Sequence, residues 1–168
     1  DERVNKVTKI LFPKYPTIES FANADVQDVE DIVRPCGLGP TKARDIVNAS
    51  KMLIEDFDGK VPDTMEGLTE LPGIGRKTAG VVLGDIFGKT AVVVDTHCIR
   101  ITNFLGLSKG KNPLTVENQL WKVLDPLEAS NFCHRLVLHG RAVCVARRPD
   151  CPNCVLLDIC KNSPEKEK

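Results

Sequence analysis

The stretch Leu71-Pro72-Gly73-Ile74-Gly75-Arg76-Lys77-Thr78-Ala79 decides the fold. Upstream the apolar spacing is helical. Downstream, Ala79, Val82, Leu83 and Ile86 line one face of another helix, which begins at about Arg76. Pro72 and the two glycines interrupt both patterns, so the segment reads as a hairpin between two helices. Glycine permits a positive φ and lets a phosphate approach the backbone closely. The first amides of the second helix, at the positive end of its dipole, face the same space. Gly73, Gly75 and Arg76 therefore form a candidate phosphate grip. The alternative is a tight αα-hairpin that only packs.

Working outward, helical faces recur along most of the chain. Val4, Val7, Ile10 and Leu11 form a stripe that Pro13 and Pro16 should break. Val26, Val29, Ile32 and Val33 form another, with Asp25 as its expected N-cap. Ile46, Val47, Leu53, Ile54 and Phe57 mark a helix over about 41–57. Asp63-x-x-Glu66 resembles a capping box that opens a short helix ending near Leu71. Further helices are expected at about 96–105, 115–123 and 127–143. Ala91-Val92-Val93-Val94 is a buried run too short to classify, and residues 108–113 read as a polar loop. No strand ladder or repeat is legible, so the class is all-α. The natural division falls near Gly88-Lys89. It gives a helical lobe of residues 1–89 that holds the glycine turns and a second lobe of residues 90–168.

The last four cysteines, Cys144, Cys151, Cys154 and Cys160, follow the pattern C-x6-C-x2-C-x5-C. Four thiols in one short loop need a metal to neutralise and order them. The spacing is unlike the paired C-x2-C knuckles of common zinc modules and suits a cubane iron–sulfur cluster, one cysteine per iron corner. Seven cysteines, four of them in this pattern, argue against a disulfide framework and suit a reducing, intracellular compartment. Cys36, Cys98 and Cys133 read as small buried hydrophobes.

Lys+Arg and Asp+Glu both number 23, so overall charge gives no push toward a polyanion. The distribution is uneven, however. Arg135, Arg141, Arg147 and Arg148 face a single acid, Asp150, over 135–150. A local basic face is what phosphate binding needs. Arg147 and Arg148 lie between the first two cysteines of the loop, which could present them to phosphates. No apolar run approaches the roughly 20 residues that span a bilayer, so no membrane association is expected.

Two further sites carry chemistry. Cys36-Gly37-Leu38-Gly39-Pro40 is a second glycine turn. Leu38 at its tip could wedge into a base stack, or simply anchor the turn. Lys77 lies in the first turn of the helix after Gly75, where the dipole and the adjacent Arg76 favour the neutral, nucleophilic form of an amine. Asp95, after three valines and before Thr96-His97, is a candidate partner for it; a plain N-cap is the competing role.

These motifs occur in a fixed order: residues 71–79, then Val94-Asp95-Thr96-His97, then Leu138-His139-Gly140-Arg141 and the cysteine loop. In that order the chain resembles the endonuclease III family, the iron–sulfur branch of the helix–hairpin–helix DNA glycosylases. The resemblance implies an all-helical, two-lobed fold that binds double-stranded DNA containing damaged bases or abasic sites, as a monomer. It implies a bifunctional glycosylase and abasic-site lyase of base excision repair that removes oxidised pyrimidines through a lysine Schiff base. Lys77 matches the family's nucleophile and Asp95 the aspartate that assists it. Cys144, Cys151, Cys154 and Cys160 match the ligands of a 4Fe–4S cluster, and Leu38 the leucine that enters the duplex. The chain departs from the pattern at Gly80, where pyrimidine-damage members often carry asparagine. Members also carry helical sequence ahead of the position of Asp1.

Three rival readings follow. Relatives that remove mismatched bases by hydrolysis alone typically lack the lysine, so Lys77 favours the lyase branch over a monofunctional mismatch glycosylase. Zinc on the same cysteines would make a non-catalytic DNA-binding module. An electron-transfer protein would have no use for Lys77 in a phosphate-binding turn.

Overall fold

The computed structural model describes residues 2–162. Its regular secondary structure is all helical, with no strand among the described residues. In chain order the helices are α1 (Glu2–Lys14), α2 (Ile18–Ala22), α3 (Val26–Val33), α4 (Gly39–Asp56), α5 (Met65–Glu70), α6 (Arg76–Asp85), α7 (Thr96–Leu105), α8 (Pro113–Leu120) and α9 (Ala129–Ala142). The chain divides into two compact units, Asp1–Ala79 and Gly80–Lys168. The division lies inside α6. No helix among the described residues is long and apolar enough to cross a membrane.

In the first unit, α4 packs against α2 and α3, and α3 against α1. Val7, Leu11, Tyr15, Val29, Val33, Ala43 and Val47 close its core. The Tyr15 ring lies 5.2 Å from that of Phe21. Side-chain caps start the short helices. Asp25 accepts from the amides of Gln27 (2.7 Å) and Asp28 (3.3 Å), as its position suggested. Thr17 and Ser20 cap α2 reciprocally.

Two local expectations are corrected. Pro13 does not break the first helix; α1 runs through it to Lys14. At position 13 only one ladder bond is lost, and the Tyr15 amide still bonds the Leu11 carbonyl at 3.0 Å. Burial of Leu11 and Tyr15 holds that last turn in place. The cap of α5 is Thr64, not Asp63. Thr64 has extended backbone, and its Oγ1 accepts from the Gly67 amide at 3.1 Å.

In the second unit, Val92, Val94, Cys98, Ile101, Val116, Leu120, Ala129, Cys133 and Leu136 form one core. Residues 91–95 are a largely buried extended segment rather than a strand. Helices α7 and α9 are in close contact because Gly140 has no side chain: a Cβ there would lie 2.9 Å from Cγ of His97. Cys98 and Cys133 are core thiols, as expected. The Cys133 thiol beside it, and then burial, push the Cys98 thiol well above the usual range. Cys36 is half-buried against the first unit's core.

Candidate functional site

The hairpin between α5 and α6 is built as the glycine spacing suggests. The Ile74 amide bonds the Leu71 carbonyl at 3.1 Å, and α6 opens at Arg76 with the Ala79 amide on the Gly75 carbonyl at 3.0 Å. The two glycines have different reasons for being there. Gly73 has φ +77°, and a Cβ on it would meet Asp45 of α4 at 2.9 Å. Gly73 is therefore demanded by the fold. Gly75 has no positive φ, and nothing in the protein lies within 4 Å of where its Cβ would be. Its missing side chain leaves the backbone open to the outside. Beside the turn runs a groove of ≈ 210 Å³, lined by Lys42, Asp45 and Ile46 of α4 and by Pro72, Gly73 and Ile74.

Arg76 and Lys77 are exposed in the first turn of α6, where the helix amides have no i−4 partner within the helix. Leu71 and Ala79 are buried on either side of the hairpin. Lys77 is thus held by a rigid element while its amine remains accessible.

The second glycine turn carries Leu38 as the N-cap of α4, with φ 53° and ψ 37°. A leucine in the left-handed region costs about 1–2 kcal/mol. Its side chain is 76% exposed, so packing within the protein does not repay that cost. Gly37, with φ 74°, completes the turn.

In the second unit, Asp95 is half-buried and caps α7; its Oδ1 accepts from the Cys98 amide at 2.7 Å. This occupies one carboxylate oxygen, so capping and chemistry do not exclude each other. Lys77 and Asp95 belong to different compact units, and each is described within its own.

The cysteine loop follows α9. Cys144, Cys151, Cys154 and Cys160 line one small cavity together with Phe104, Pro149 and Leu157. Burial pushes the Cys151 thiol up, and the other three thiols add to the shift, which places all four within electrostatic reach. Among the described residues no group of three or more His, Cys, Asp or Glu is set to hold a single metal ion. Four thiols lining one cavity are a donor set that suits a polynuclear group taking one thiolate per corner, and equally a single tetrahedral ion. The loop is tied to the fold by backbone bonds: Cys144 N to His139 O (2.9 Å), Asp150 N to Val143 O (2.9 Å) and Lys161 N to Phe104 O (2.7 Å). Arg147 and Arg148 are exposed on it.

Several long-range pairings escape sequence reading. Arg100 donates from Nη2 to the Cys144 carbonyl at 2.5 Å and lies 3.2 Å from Nδ1 of His97. Its Nε is buried with no hydrogen-bond partner among the described residues. His139 Nε2 is 3.5 Å from Cys154 Sγ, and His134 pairs with Asp85 at 2.9 Å. These pairings join residues 15, 44 and 49 positions apart, beyond the reach of any local pattern.

Comparison with known proteins agrees with this arrangement. A family model described as HhH-GPD superfamily base excision DNA repair protein matches residues 1–126. Endonuclease III of Synechocystis sp. is 44% identical over 164 residues, which is 97% of this chain and 75% of that protein. Endonuclease III of Escherichia coli is 40% identical over 162 residues, 96% of this chain and 76% of that protein. The solved structure of a trapped endonuclease III–DNA covalent intermediate superposes with a TM-score of 0.93 at 40% identity, covering 100% of this chain and 79% of that one. The chain belongs to the HhH-GPD superfamily of base excision DNA repair proteins and, within it, to the endonuclease III family.

Proposed function

We propose that this chain is a DNA glycosylase and abasic-site lyase in which Lys77 is the nucleophile and Asp95 assists it. The substrate is double-stranded DNA carrying an oxidised pyrimidine or an abasic site. The nucleotide is rotated out of the duplex at a cost of a few kcal/mol, least where pairing is already weak. Nζ of Lys77 bonds to C1′ of the sugar, and the base leaves with the electrons of the glycosidic bond. Asp95 accepts the proton from the amine or stabilises the cationic sugar. The nitrogen lone pair then expels O4′ from C1′, the sugar ring opens as O4′ takes up a proton, and the iminium so formed acidifies the C2′ proton. Loss of that proton expels the 3′ oxygen by β-elimination, breaks the strand 3′ to the lesion, and water then frees Lys77.

The observation that carries this reading is an exposed lysine in the first turn of α6, two residues beyond Gly75, where the backbone opens outward. Similarity to a protein solved as a covalent intermediate with DNA supports it. Gly73, Gly75 and Arg76 would hold a phosphate through backbone amides and charge. Leu38 would fill the stack beside the vacated base, and Arg147 and Arg148 would add phosphate contacts. Cys144, Cys151, Cys154 and Cys160 would hold a 4Fe–4S cluster. Such a cluster supplies a covalent cross-link that fixes the terminal loop and the cations on it.

Borohydride reduction on abasic-site duplex tests the assignment. The parent protein should be trapped as a covalent adduct, and Lys77→Gln should not. Trapping that persists in Lys77→Gln would refute the role of Lys77.

A further inference from the structure

We propose that Lys42 is the positioning residue for Leu38: its ammonium braces the leucine turn and does not bind DNA phosphate. This rests on the proposed entry of Leu38 into the duplex. Lysines beside a DNA-facing turn are ordinarily taken as phosphate contacts, but the geometry here points elsewhere. Nζ of Lys42 donates to the Cys36 carbonyl at 2.7 Å and to the Gly37 carbonyl at 2.6 Å. Its backbone amide bonds the Leu38 carbonyl at 2.9 Å. One residue thus ties down three successive carbonyls, and the third belongs to the left-handed leucine itself. Both side-chain bonds are short and charge-assisted, the stronger kind. Lys42 is half-buried, and its ammonium already donates to two backbone carbonyls.

The brace answers a need. Leu38 has 76% of its surface exposed and sits at φ 53°, where neither packing nor backbone preference holds it. Without Lys42 the turn would relax toward commoner backbone angles and the side chain would leave its position. The same helix fixes the other proposed DNA contact. Asp45 lies three residues on, on the same face of α4, and packs so closely on Gly73 that a Cβ there would stand 2.9 Å away. The α4 residues 42 and 45 thereby hold the leucine turn and the glycine hairpin at a fixed spacing within the first unit.

The test separates bracing from phosphate binding. A duplex carries 2-aminopurine next to a tetrahydrofuran abasic analogue. Its fluorescence rises when a side chain displaces the neighbouring stack, and the salt dependence of Kd is read on the same duplex. Lys42→Met removes both ammonium bonds and should cut the fluorescence rise at least roughly tenfold, the scale of a single hydrogen bond to a charged group. It should leave the slope of log Kd against log salt unchanged. Lys42→Arg, which keeps the charge and donors, should restore most of the signal. Lys42→Gln carries the same test should the methionine variant melt below the assay temperature. A full fluorescence rise in Lys42→Met with a slope reduced by about 0.9 would make Lys42 a phosphate contact and overturn the proposal. Leu38→Ala distinguishes the two layers. If it keeps the signal, the reading of Leu38 itself fails. If it loses the signal while Lys42→Met keeps it, only the brace fails.

Discussion

Asp95 holds two proposed jobs, and two substitutions pull them apart. Its Oδ1 caps α7 through a 2.7 Å bond to the Cys98 amide, a short charge-assisted bond in a half-buried place. Removing a cap of this kind costs about 1–2 kcal/mol. For a chain of this size that lowers Tm by about 2–8 °C. Asparagine caps as well as aspartate, so Asp95→Asn should stay within about 0.5 kcal/mol of the parent protein, whereas Asp95→Ala should show the full loss. Chemistry divides the variants differently, because both lack the carboxylate. Base release under single-turnover conditions should fall by ~10²–10⁴ in Asp95→Asn and Asp95→Ala alike, the range for a positioned acid or base. Affinity for a duplex bearing an uncleavable abasic analogue should hold within about threefold, given that Asp95 is assigned no phosphate contact. Scanning calorimetry, rapid-quench base release and fluorescence anisotropy give the three readouts. Parent-like release by Asp95→Asn would reduce Asp95 to a cap. Equal losses of release and affinity would also refute the reasoning.

Other outcomes follow from the packing and the loop. Gly140→Ala should destabilise by about 2–3 kcal/mol, because the new methyl would lie 2.9 Å from Cγ of His97. In a His97→Gly background that cost should drop below ~1 kcal/mol, as both the ring and the Cβ 3.0 Å away are gone and alanine at 140 is the better helix former. An equal cost in both backgrounds would show that α7 and α9 do not meet there. Arg147→Ala with Arg148→Ala should weaken the salt slope of DNA binding by about 1.8, or 0.9 for each lost phosphate contact; an unchanged slope removes both arginines from the interface. Cys154→Ser should lower bound iron and sulfide together and bleach visible absorption. A colourless parent protein with one zinc per chain would replace the cluster by a mononuclear site.

Much of the fold could be read locally, and the reason is physical. Asp25 and Asp95 cap helices because a short acceptor just before an apolar periodic run has few other uses. The Pro-Gly-Ile-Gly turn announced the start of α6 because nothing else breaks and restarts a helix so sharply. The misses are equally local. Thr64 rather than Asp63 caps α5, since either residue type fits and only the backbone angle chooses. Pro13 stays helical because tertiary burial of Leu11 and Tyr15 outweighs one missing bond. In the candidate site, the positions of Lys77 in a first helical turn and of the four cysteines in one loop were legible locally; that Lys77 is exposed and that the cysteines line one cavity comes from the structure. The brace from Lys42 and the link from Arg100 to Cys144 were not legible, because a long side chain's target depends on how the backbone folds back.

Gly75 has a consequence for anyone improving this protein. Its φ is not positive, and its side-chain position opens onto empty space. Serine there would supply the missing hydroxyl cap to α6, worth up to about 1 kcal/mol. Heat-challenge selection would therefore enrich Gly75→Ser, while the same hydroxyl would intrude on the phosphate contact proposed for this turn. Survivors of such a campaign would be sturdier and slower at repair, a trade invisible to any screen that never shows them their substrate.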